Sequence, residues 1–318
     1  MSGVYLWRPD FNTQLSFKGI TMRRDIEFKS EGLTLRGWLY KPAKGKAPFP
    51  TVVMAHGFSG VKEMGLDEYA EVFCKAGLAV LVYDNRCLGE SEGEPRSDID
   101  PVAQMRDYRS AITFAQMQKE CDAERIGVWG TSYTGGTVCA VAALDRRVKA
   151  VVSQVPFMNG VRNLQQFLPV VNMKAFHAML DEDRKRRVEG NPSQYMKMCT
   201  LDASEPHLFP GDQTYNFIHR YLDKGKKSTW QNQVTLRSID YMLEYDVSGY
   251  MKLISPTPLL MIVSEFDTCT PSDIALDHYN MVPGPKQLKI IKSDHYEAYV
   301  EKFDETSTAA CEFFCENL

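Results

Sequence analysis

A serine between a predicted strand and a predicted helix is the residue of this sequence best placed to act as a nucleophile. Ser132 lies in GTSYTGG (residues 130–136), after a strand predicted over 125–129 and before a small-residue helix predicted over 133–143. Such a turn exposes the hydroxyl at the edge of a sheet and at a helix N-terminus, where a developing negative charge is stabilised. We therefore predict that Ser132 attacks a carbonyl carbon.

A nucleophilic serine needs a base, and the base needs an acid that orients it. Of the six histidines, His295 directly follows the last predicted strand, and Asp267 directly follows the strand before it. The carboxyl ends of parallel strands meet at one edge of a sheet, so we expect both side chains to converge on Ser132. His295 then takes the serine proton, and Asp267 holds the imidazole in the required tautomer. Glu265 and Asp294 are rival acids that lie away from the expected turn position.

The elements that would position these residues alternate between strand and helix. This alternation predicts an α/β fold with a mostly parallel sheet and helices on both faces. A β-hairpin is predicted before it, over residues 22–40. Strands are predicted at residues 51–55, 78–83, 125–129, 148–152, 258–263 and 287–291.

Residues 156–255 interrupt this alternation with a largely helical segment that is rich in methionine and aromatic residues. An insertion of this size indicates a cap over the carboxyl edge of the sheet. A plain helical subdomain with its own core explains the pattern equally well, and both interpretations can hold together. We therefore predict a core formed by residues 1–155 and 256–318, with a helical cap of residues 156–255 inserted before the last two strands.

The serine turn and the order of serine, acid and histidine resemble the α/β-hydrolase family. The usual pattern is Gly-x-Ser-x-Gly, and here Thr134 stands in its fifth position, so Gly135 or Gly136 is expected to serve as the second glycine. MAHGFSG (residues 54–60) resembles the loop that stabilises the oxyanion in that family. The resemblance implies that the backbone N–H groups of Phe58 and Tyr133 form the oxyanion hole, and that the histidine at position 56 orders the loop.

A further segment, DNRCLGES (residues 84–91), resembles the family sequence Asp-x-Arg-Gly-x-Gly-x-Ser. We expect Asp84 and Arg86 to brace loops, as an ion pair and through backbone hydrogen bonds. Cys87 stands where the first glycine is usual, and we interpret it as a small buried side chain.

More closely, the chain resembles fungal hydrolases and acyltransferases that act beside polyketide synthases, the polyketide transferase or thiohydrolase group. The segments that carry this resemblance are residues 24–33, AHGFS (55–59) and GTSYTGG (130–136). The resemblance implies release of a polyketide acyl chain from the thioester of an acyl carrier domain. The acceptor is water, an alcohol, or an internal hydroxyl that closes a lactone.

The same residues leave two other classes of function open. One is a general carboxylesterase or a small-peptide hydrolase, which uses the same chemistry on another substrate. The other is a non-catalytic hydrolase-fold protein that binds a ligand, although all three candidate catalytic residues are present. A metallohydrolase is disfavoured because no His-Glu-x-x-His spacing occurs. We expect neither a cofactor nor a metal.

Composition sets broader limits on partners and location. The 318 residues carry 37 Lys+Arg and 41 Asp+Glu, so 37 − 41 gives a formal charge of −4. This charge offers no basic field for nucleic acid or an anionic membrane. The chain shows no signal peptide or apolar run long enough to span a membrane, and its eight cysteines are scattered. These features predict a cytoplasmic protein with reduced thiols, and they do not fix the oligomeric state.

Overall fold

The computed structural model describes residues 21–167, 170–202, 204–209, 211–222 and 228–318. The first twenty residues of the predicted core therefore lie outside the described part. The strands are β1 Thr21–Ser30, β2 Leu33–Pro42, β3 Phe49–Ala55, β4 Ala79–Tyr83, β5 Cys121–Thr131, β6 Val148–Gln154, β7 Tyr195–Met196, β8 Val234–Thr235, β9 Leu259–Ser264 and β10 Lys286–Ile291. The helices are α1 Leu66–Lys75, α2 Pro101–Gln116, α3 Tyr133–Leu144, α4 Gly160–Phe167, α5 Val170–Val188, α6 Asp212–Leu222, α7 Leu236–Glu244, α8 Ser248–Met251, α9 Ser272–Met281 and α10 Phe303–Asn317.

Eight strands form one sheet in the order β1-β2-β4-β3-β5-β6-β9-β10. The pairs β1–β2 and β2–β4 are antiparallel, and the remaining neighbours are parallel. The predicted mostly parallel sheet and the predicted hairpin are thus confirmed. The hairpin turns at Glu31 and Gly32, whose φ angles of 46° and 90° are both positive, as a tight two-residue turn between twisted strands requires.

Apolar side chains cover both faces of the sheet, as the strand pattern predicts for a buried parallel sheet. In β3, Val53 and Ala55 join the apolar cluster that includes residues of α2 and α3. Val52 and Met54 point to the opposite face, where they join the cluster with residues of α1 and α10. Helices on both faces of the sheet are therefore confirmed, and the sheet forms a rigid platform for the loops at its carboxyl edge.

The segment between β6 and β9 contains α4 to α8 and a small antiparallel sheet formed by β7 and β8. It is anchored to the loop before α2 by an ion pair in which the Arg237 guanidinium lies 2.6 Å from Asp98 Oδ2. All eight cysteines are free thiols, and only Cys315 is exposed. None of the described helices combines the length and the apolar character that crossing a membrane requires.

Candidate active site

Ser132 has a backbone conformation that residues with a side chain rarely adopt, with φ of 54° and ψ of −122°. It is the single residue between β5 and α3. Its N–H donates to Gln154 O at 2.9 Å, and its carbonyl accepts from Gly135 N at 2.9 Å and Phe157 N at 2.8 Å. Strain of this kind costs about 1–3 kcal/mol and persists only where the surroundings fix the backbone. These bonds therefore hold the serine at the edge of the sheet and the start of α3.

The glycines around this turn are required by close packing. A Cβ on Gly130 would lie 2.2 Å from Thr134 O, and a Cβ on Gly136 would lie 2.2 Å from Phe157 O. Gly135 or Gly136 was expected to serve as the second glycine of the usual pattern. In the structure they instead allow α3 to pack closely against the segment that follows β6.

Thr134 occupies the fifth position of the pattern itself, and its hydroxyl has a structural role. Thr134 Oγ1 accepts from Thr131 N at 3.0 Å and lies 3.0 Å from Ala55 O, to which it donates. It is fully buried. The departure from glycine therefore adds a hydrogen-bonded link between the nucleophile turn and the end of β3.

His295 and Asp267 contact each other directly. His295 Nδ1 lies 2.7 Å from Asp267 Oδ2, and both residues are buried. Asp267 Oδ1 accepts the backbone N–H groups of Cys269 at 2.8 Å and Thr270 at 2.6 Å. The Thr270 hydroxyl lies 2.9 Å from Asp267 Oδ2. With Asp267 as the acceptor, this contact favours the tautomer of His295 that carries its proton on Nδ1.

The two rival acids do not contact the imidazole through any described hydrogen bond. Glu265 is exposed. Asp294 Oδ1 accepts the N–H groups of Tyr296 at 2.9 Å and Glu297 at 2.8 Å, so it caps the short 3₁₀ turn that follows His295. Asp267 is therefore the acid that the geometry pairs with the histidine.

Ser132 and His295 line the same cavity. The loop that carries His295 is bonded to the nucleophile turn, because Tyr299 OH lies 2.6 Å from Thr131 Oγ1 in a fully buried contact. The structure thus brings the predicted nucleophile and base to one cavity, with Asp267 bonded to His295.

The loop after β3 passes directly against Ser132. A Cβ on Gly57 would lie 3.0 Å from Ser132 Cβ and 3.1 Å from Thr131 O, so only glycine fits without displacement. The next residue, Phe58, packs edge-to-face on Tyr133, with ring centroids 5.8 Å apart. The N–H of Tyr133 belongs to the first turn of α3, where amides have no partner within the helix. The predicted donors Phe58 and Tyr133 therefore both lie beside Ser132.

His56 is part of this loop rather than of the acid–base pair. Its Nε2 lies 3.0 Å from Met64 O, and its ring packs against Gly60, where a Cβ would lie only 1.9 Å from Nδ1. Burial lowers the pKa of His56 to about 4, so the ring is neutral at physiological pH. A neutral ring that bonds a backbone carbonyl fixes the shape of the loop.

A buried lysine near the same loop was missed by sequence reasoning. Lys62 Nζ lies 2.7 Å from both Asp84 Oδ2 and Glu90 Oε2, and 2.9 Å from Glu63 Oε1. Its side chain has no exposed area. Burial alone would lower the pKa of Lys62, but the surrounding carboxylates more than offset this and raise it. No sequence signal set Lys62 apart, because Arg86 in the segment of Asp84 already offered that carboxylate a cation.

The expected ion pair between Asp84 and Arg86 is not formed. Arg86 instead makes two contacts of 2.7 Å with the Asp107 carboxylate, because its side chain reaches α2, whereas Asp84 faces Lys62. Cys87 has a φ of 65°, the conformation that explains why glycine is usual at this position. Cys87 is buried, as expected.

Ser132 and His295 line one cavity, and the empty space inside it together with its opening to solvent amounts to about 1040 Å³. Its walls come from the loops of the sheet and from the segment between β6 and β9, and none of the described lining residues is Asp, Glu, Lys or Arg. Such a surface suits an uncharged apolar ligand. The apolar and aromatic lining residues are Phe58, Met64, Tyr133, Phe157, Leu164, Met198, Leu208, Phe209, Phe217, Ile218, Trp230, Ile239, Met242, Leu243, Tyr296 and Tyr299.

Two groups of side chains among the described residues have the spacing of metal ligands. Glu63, Asp84 and Glu90 form one group, but the ammonium of Lys62 lies at its centre. Asp267, Cys269 and His295 form the other, where the histidine and the carboxylate already bond each other. Neither arrangement favours a metal over the contacts that are present.

Sequence reasoning also missed Thr270, Tyr296 and Tyr299. Their signals were present as a threonine three residues after Asp267 and two tyrosines after His295. This spacing becomes informative only after the acid and base are assigned, because the three hydroxyl groups make hydrogen bonds that hold the loops of Asp267 and His295.

Comparison with known proteins shows the family to which the chain belongs. The family model for X-Pro dipeptidyl-peptidase (S15 family) matches residues 31–297. A thiohydrolase of Eupenicillium brefeldianum is 34% identical over 274 residues, which cover 85% of this chain and 86% of the relative. The polyketide transferase grgF of a Penicillium species is 31% identical over 271 residues, covering 85% of this chain and 88% of the relative.

The crystal structure of the alpha/beta hydrolase GrgF from Penicillium sp. sh18 has a TM-score of 0.79 and 27% identity, and the match covers 93% of this chain and 99% of that chain. Its fold agrees with the mostly parallel sheet and the flanking helices. These relatives support a role in hydrolysis or acyl transfer. The chain therefore belongs to the X-Pro dipeptidyl-peptidase (S15) family of α/β-hydrolases, and it is similar to fungal thiohydrolases and polyketide transferases.

Proposed function

We propose that the protein is a serine-dependent acyl-transfer enzyme that releases a polyketide acyl chain from a carrier-protein thioester. Ser132 Oγ attacks the thioester carbonyl while His295 Nε2 takes its proton, and the thiol leaves with that proton. Water or an alcohol then attacks the acyl-Ser132 ester, and His295 returns a proton to Ser132. The observation that carries this proposal is the buried contact of 2.7 Å between His295 and Asp267, with His295 in the cavity of the strained Ser132.

The oxyanion that forms at each step needs preorganised donors. The backbone N–H groups of Phe58 and Tyr133 supply them in this proposal, since Gly57 brings the loop against Ser132. One such donor typically contributes about 3 kcal/mol of transition-state stabilisation. The buried link from Thr134 to Ala55 fixes the distance between the two donor segments.

The cavity supports a long apolar acyl group as the substrate. Its lining contains no charged residue in the described part, and methionine and aromatic walls adapt to irregular chains. In this proposal residues 156–255 act as the cap that closes this cavity. The names of the similar proteins, thiohydrolase and polyketide transferase, support a thioester donor and a polyketide chain, with an acyl carrier domain as partner.

The second candidate is a small-peptide hydrolase, and the match to the X-Pro dipeptidyl-peptidase model favours it. A dipeptidyl-peptidase has to bind the positively charged N-terminus of its substrate, which a carboxylate normally pairs with. No carboxylate lines the described part of the cavity. We therefore place acyl thioesters and esters before peptides.

The intact mass of the protein after exposure to a panel of acyl thioesters tests the proposal. We expect an added acyl mass on Ser132 that is absent from the Ser132→Ala variant. Parallel assays with X-Pro-p-nitroanilides and short p-nitrophenyl esters separate the alternatives. Turnover of a dipeptide anilide in preference to thioesters would establish the peptidase, and folded wild-type protein that takes up no acyl group would contradict acyl transfer.

A further inference from the structure

Helix α6 lies directly on the loop that carries His295. Gln213 Nε2 donates to Asp294 Oδ2 at 3.2 Å, immediately before the histidine. The Phe217 ring packs on the rings of Tyr296 and Tyr299, with centroids 4.9 Å and 5.3 Å apart. The helix is thus both a wall of the cavity and a support of the catalytic loop.

Tyr296, the residue after His295, joins three segments through its hydroxyl. Tyr296 OH lies 2.5 Å from Thr214 Oγ1 on α6 and accepts from Cys269 Sγ at 3.8 Å on the loop of Asp267. Thr214 is only 5% exposed, so a lost partner is poorly replaced by water. Tyr296, Thr214 and Cys269 all line the cavity.

A second tyrosine–threonine pair in the same loop makes a different connection. Tyr299 OH lies 2.6 Å from Thr131 Oγ1, on the nucleophile turn. The loop is therefore fixed to the sheet by one phenol and to α6 by the other. Of these two phenol–threonine pairs, that of Tyr296 is the one that ties α6 to the loop, and it adds to the Gln213 hydrogen bond and the Phe217 ring contacts.

We propose that Tyr296 is a specificity-determining residue, which holds α6 over the acylated Ser132 and so favours an alcohol over water as the acceptor. This inference rests on the acyl-Ser132 intermediate proposed above. A closed apolar wall excludes water and provides contacts for the alkyl part of an alcohol. When the hydroxyl pair is lost, α6 opens more often, and water reaches the ester in those openings.

The partition of one acyl-enzyme between two acceptors tests this role. The protein is incubated with octanoyl-N-acetylcysteamine and 1-butanol, and the ratio of butyl octanoate to octanoic acid is measured. This ratio does not depend on how fast the acyl-enzyme forms. We expect Tyr296→Phe and Thr214→Val each to lower the ratio roughly threefold to tenfold, as expected for the loss of one buried hydrogen bond.

Matched variants separate specificity from general damage. Thr214→Ser keeps the hydroxyl and is expected to retain the wild-type ratio, and the double variant Tyr296→Phe/Thr214→Val is expected to match the more affected single variant. Tyr299→Phe removes the hydroxyl of the other pair, so we expect slower acylation with a ratio within about twofold of wild type. Thermal melting of each variant verifies that it is folded.

Two results would overturn the inference. One is an unchanged ratio in both Tyr296→Phe and Thr214→Val, and the other is a wild-type protein that forms an acyl-enzyme but never yields the ester. Intact mass distinguishes these results from a failure of the proposed function. Wild-type protein without any acyl-Ser132 would contradict acyl transfer itself, whereas an acyl-enzyme with an unchanged ratio contradicts only the role of Tyr296.

Discussion

The Thr134 hydroxyl lies 3.0 Å from the carbonyl oxygen of Ala55, so the helix that starts after Ser132 is bonded to the strand that precedes the loop of Gly57 and Phe58. The same hydroxyl accepts from Thr131 N at 3.0 Å. A single buried side chain thus connects the two segments that carry the proposed oxyanion donors, Phe58 and Tyr133.

Replacement of Thr134 by valine removes this connection without changing the size of the side chain. We expect Thr134→Val to lower the free energy of unfolding by about 1–3 kcal/mol, because Thr131 N and Ala55 O lose a buried partner. Activity should fall as well, since the oxyanion donors are no longer held in register. Denaturant unfolding and steady-state kinetics measure both effects. Thr134→Ser is the control, and a serine variant as impaired as the valine variant would show that the methyl group matters more than the hydroxyl.

The Asp267 carboxylate should act on catalysis through the tautomer of His295. Asp267→Asn places an amide N–H against Nδ1 of His295 and so favours the tautomer with the proton on Nε2. In that tautomer Nε2 cannot accept the proton of the Ser132 hydroxyl. We expect kcat to fall by about 10³- to 10⁴-fold, with little change in substrate binding. Labelling with a fluorophosphonate reports the same loss, and Ser132→Ala is the unlabelled reference. Normal labelling of Asp267→Asn would argue that another acid orients the histidine.

The buried ammonium of Lys62 should be needed for stability. Lys62→Met leaves the carboxylates of Asp84 and Glu90 without their buried cation. We therefore expect the free energy of unfolding to fall by about 3–5 kcal/mol. The double variant Lys62→Met/Asp84→Asn removes the stranded charge and should recover part of the loss. Chemical denaturation of the two single variants and the double variant completes the cycle. Strict additivity of the two substitutions would contradict direct pairing.

His56 should make the folded protein sensitive to mild acid. Its folded-state pKa of about 4 lies below the value of about 6.5 in an unfolded chain, so the unfolded state binds a proton that the folded state excludes. The stability contribution is complete above about pH 6.5 and is lost as pH falls towards 4, by roughly 3 kcal/mol in total. Unfolding free energies between pH 7 and pH 4.5 measure this slope. His56→Asn should show a correspondingly weaker dependence, and identical slopes would exclude His56 as the source.

The cavity lining, which is uncharged in the part of the chain that the structure describes, should exclude charged acyl chains. We expect kcat/KM for the monothioester of octanedioic acid to be about 100-fold or more below that for the octanoyl thioester, because none of the described lining residues offers a cation to a buried carboxylate. The methyl ester of the same diacid monothioester restores a neutral terminus and should recover most of the activity. Equal rates for the diacid and octanoyl thioesters would place the acyl chain outside this cavity.

The sheet and the order of the site residues could be predicted because both follow local patterns. Apolar runs identified the strands, and the positions of Ser132, Asp267 and His295 after strands placed them at one edge of the sheet. The contacts of Lys62 and Arg86 could not be predicted, since either cation could serve Asp84 and only the packing of the loops decides between them. The roles of Thr270 and Tyr296 were equally hidden, because a hydroxyl gains its function from neighbours far away in the chain.

Two separate parts of the chain line the cavity, and this separation bears on how substrate preference can vary within the family. The proposed catalytic residues lie on loops of the sheet, whereas wall residues such as Met198, Trp230 and Met242 come from the segment between β6 and β9. Natural variation in that segment can change which substrate shapes the cavity accepts and leave the proposed reaction unchanged. A chimera that receives the corresponding segment of a related protein should therefore inherit the preferences of its donor and keep its own nucleophile.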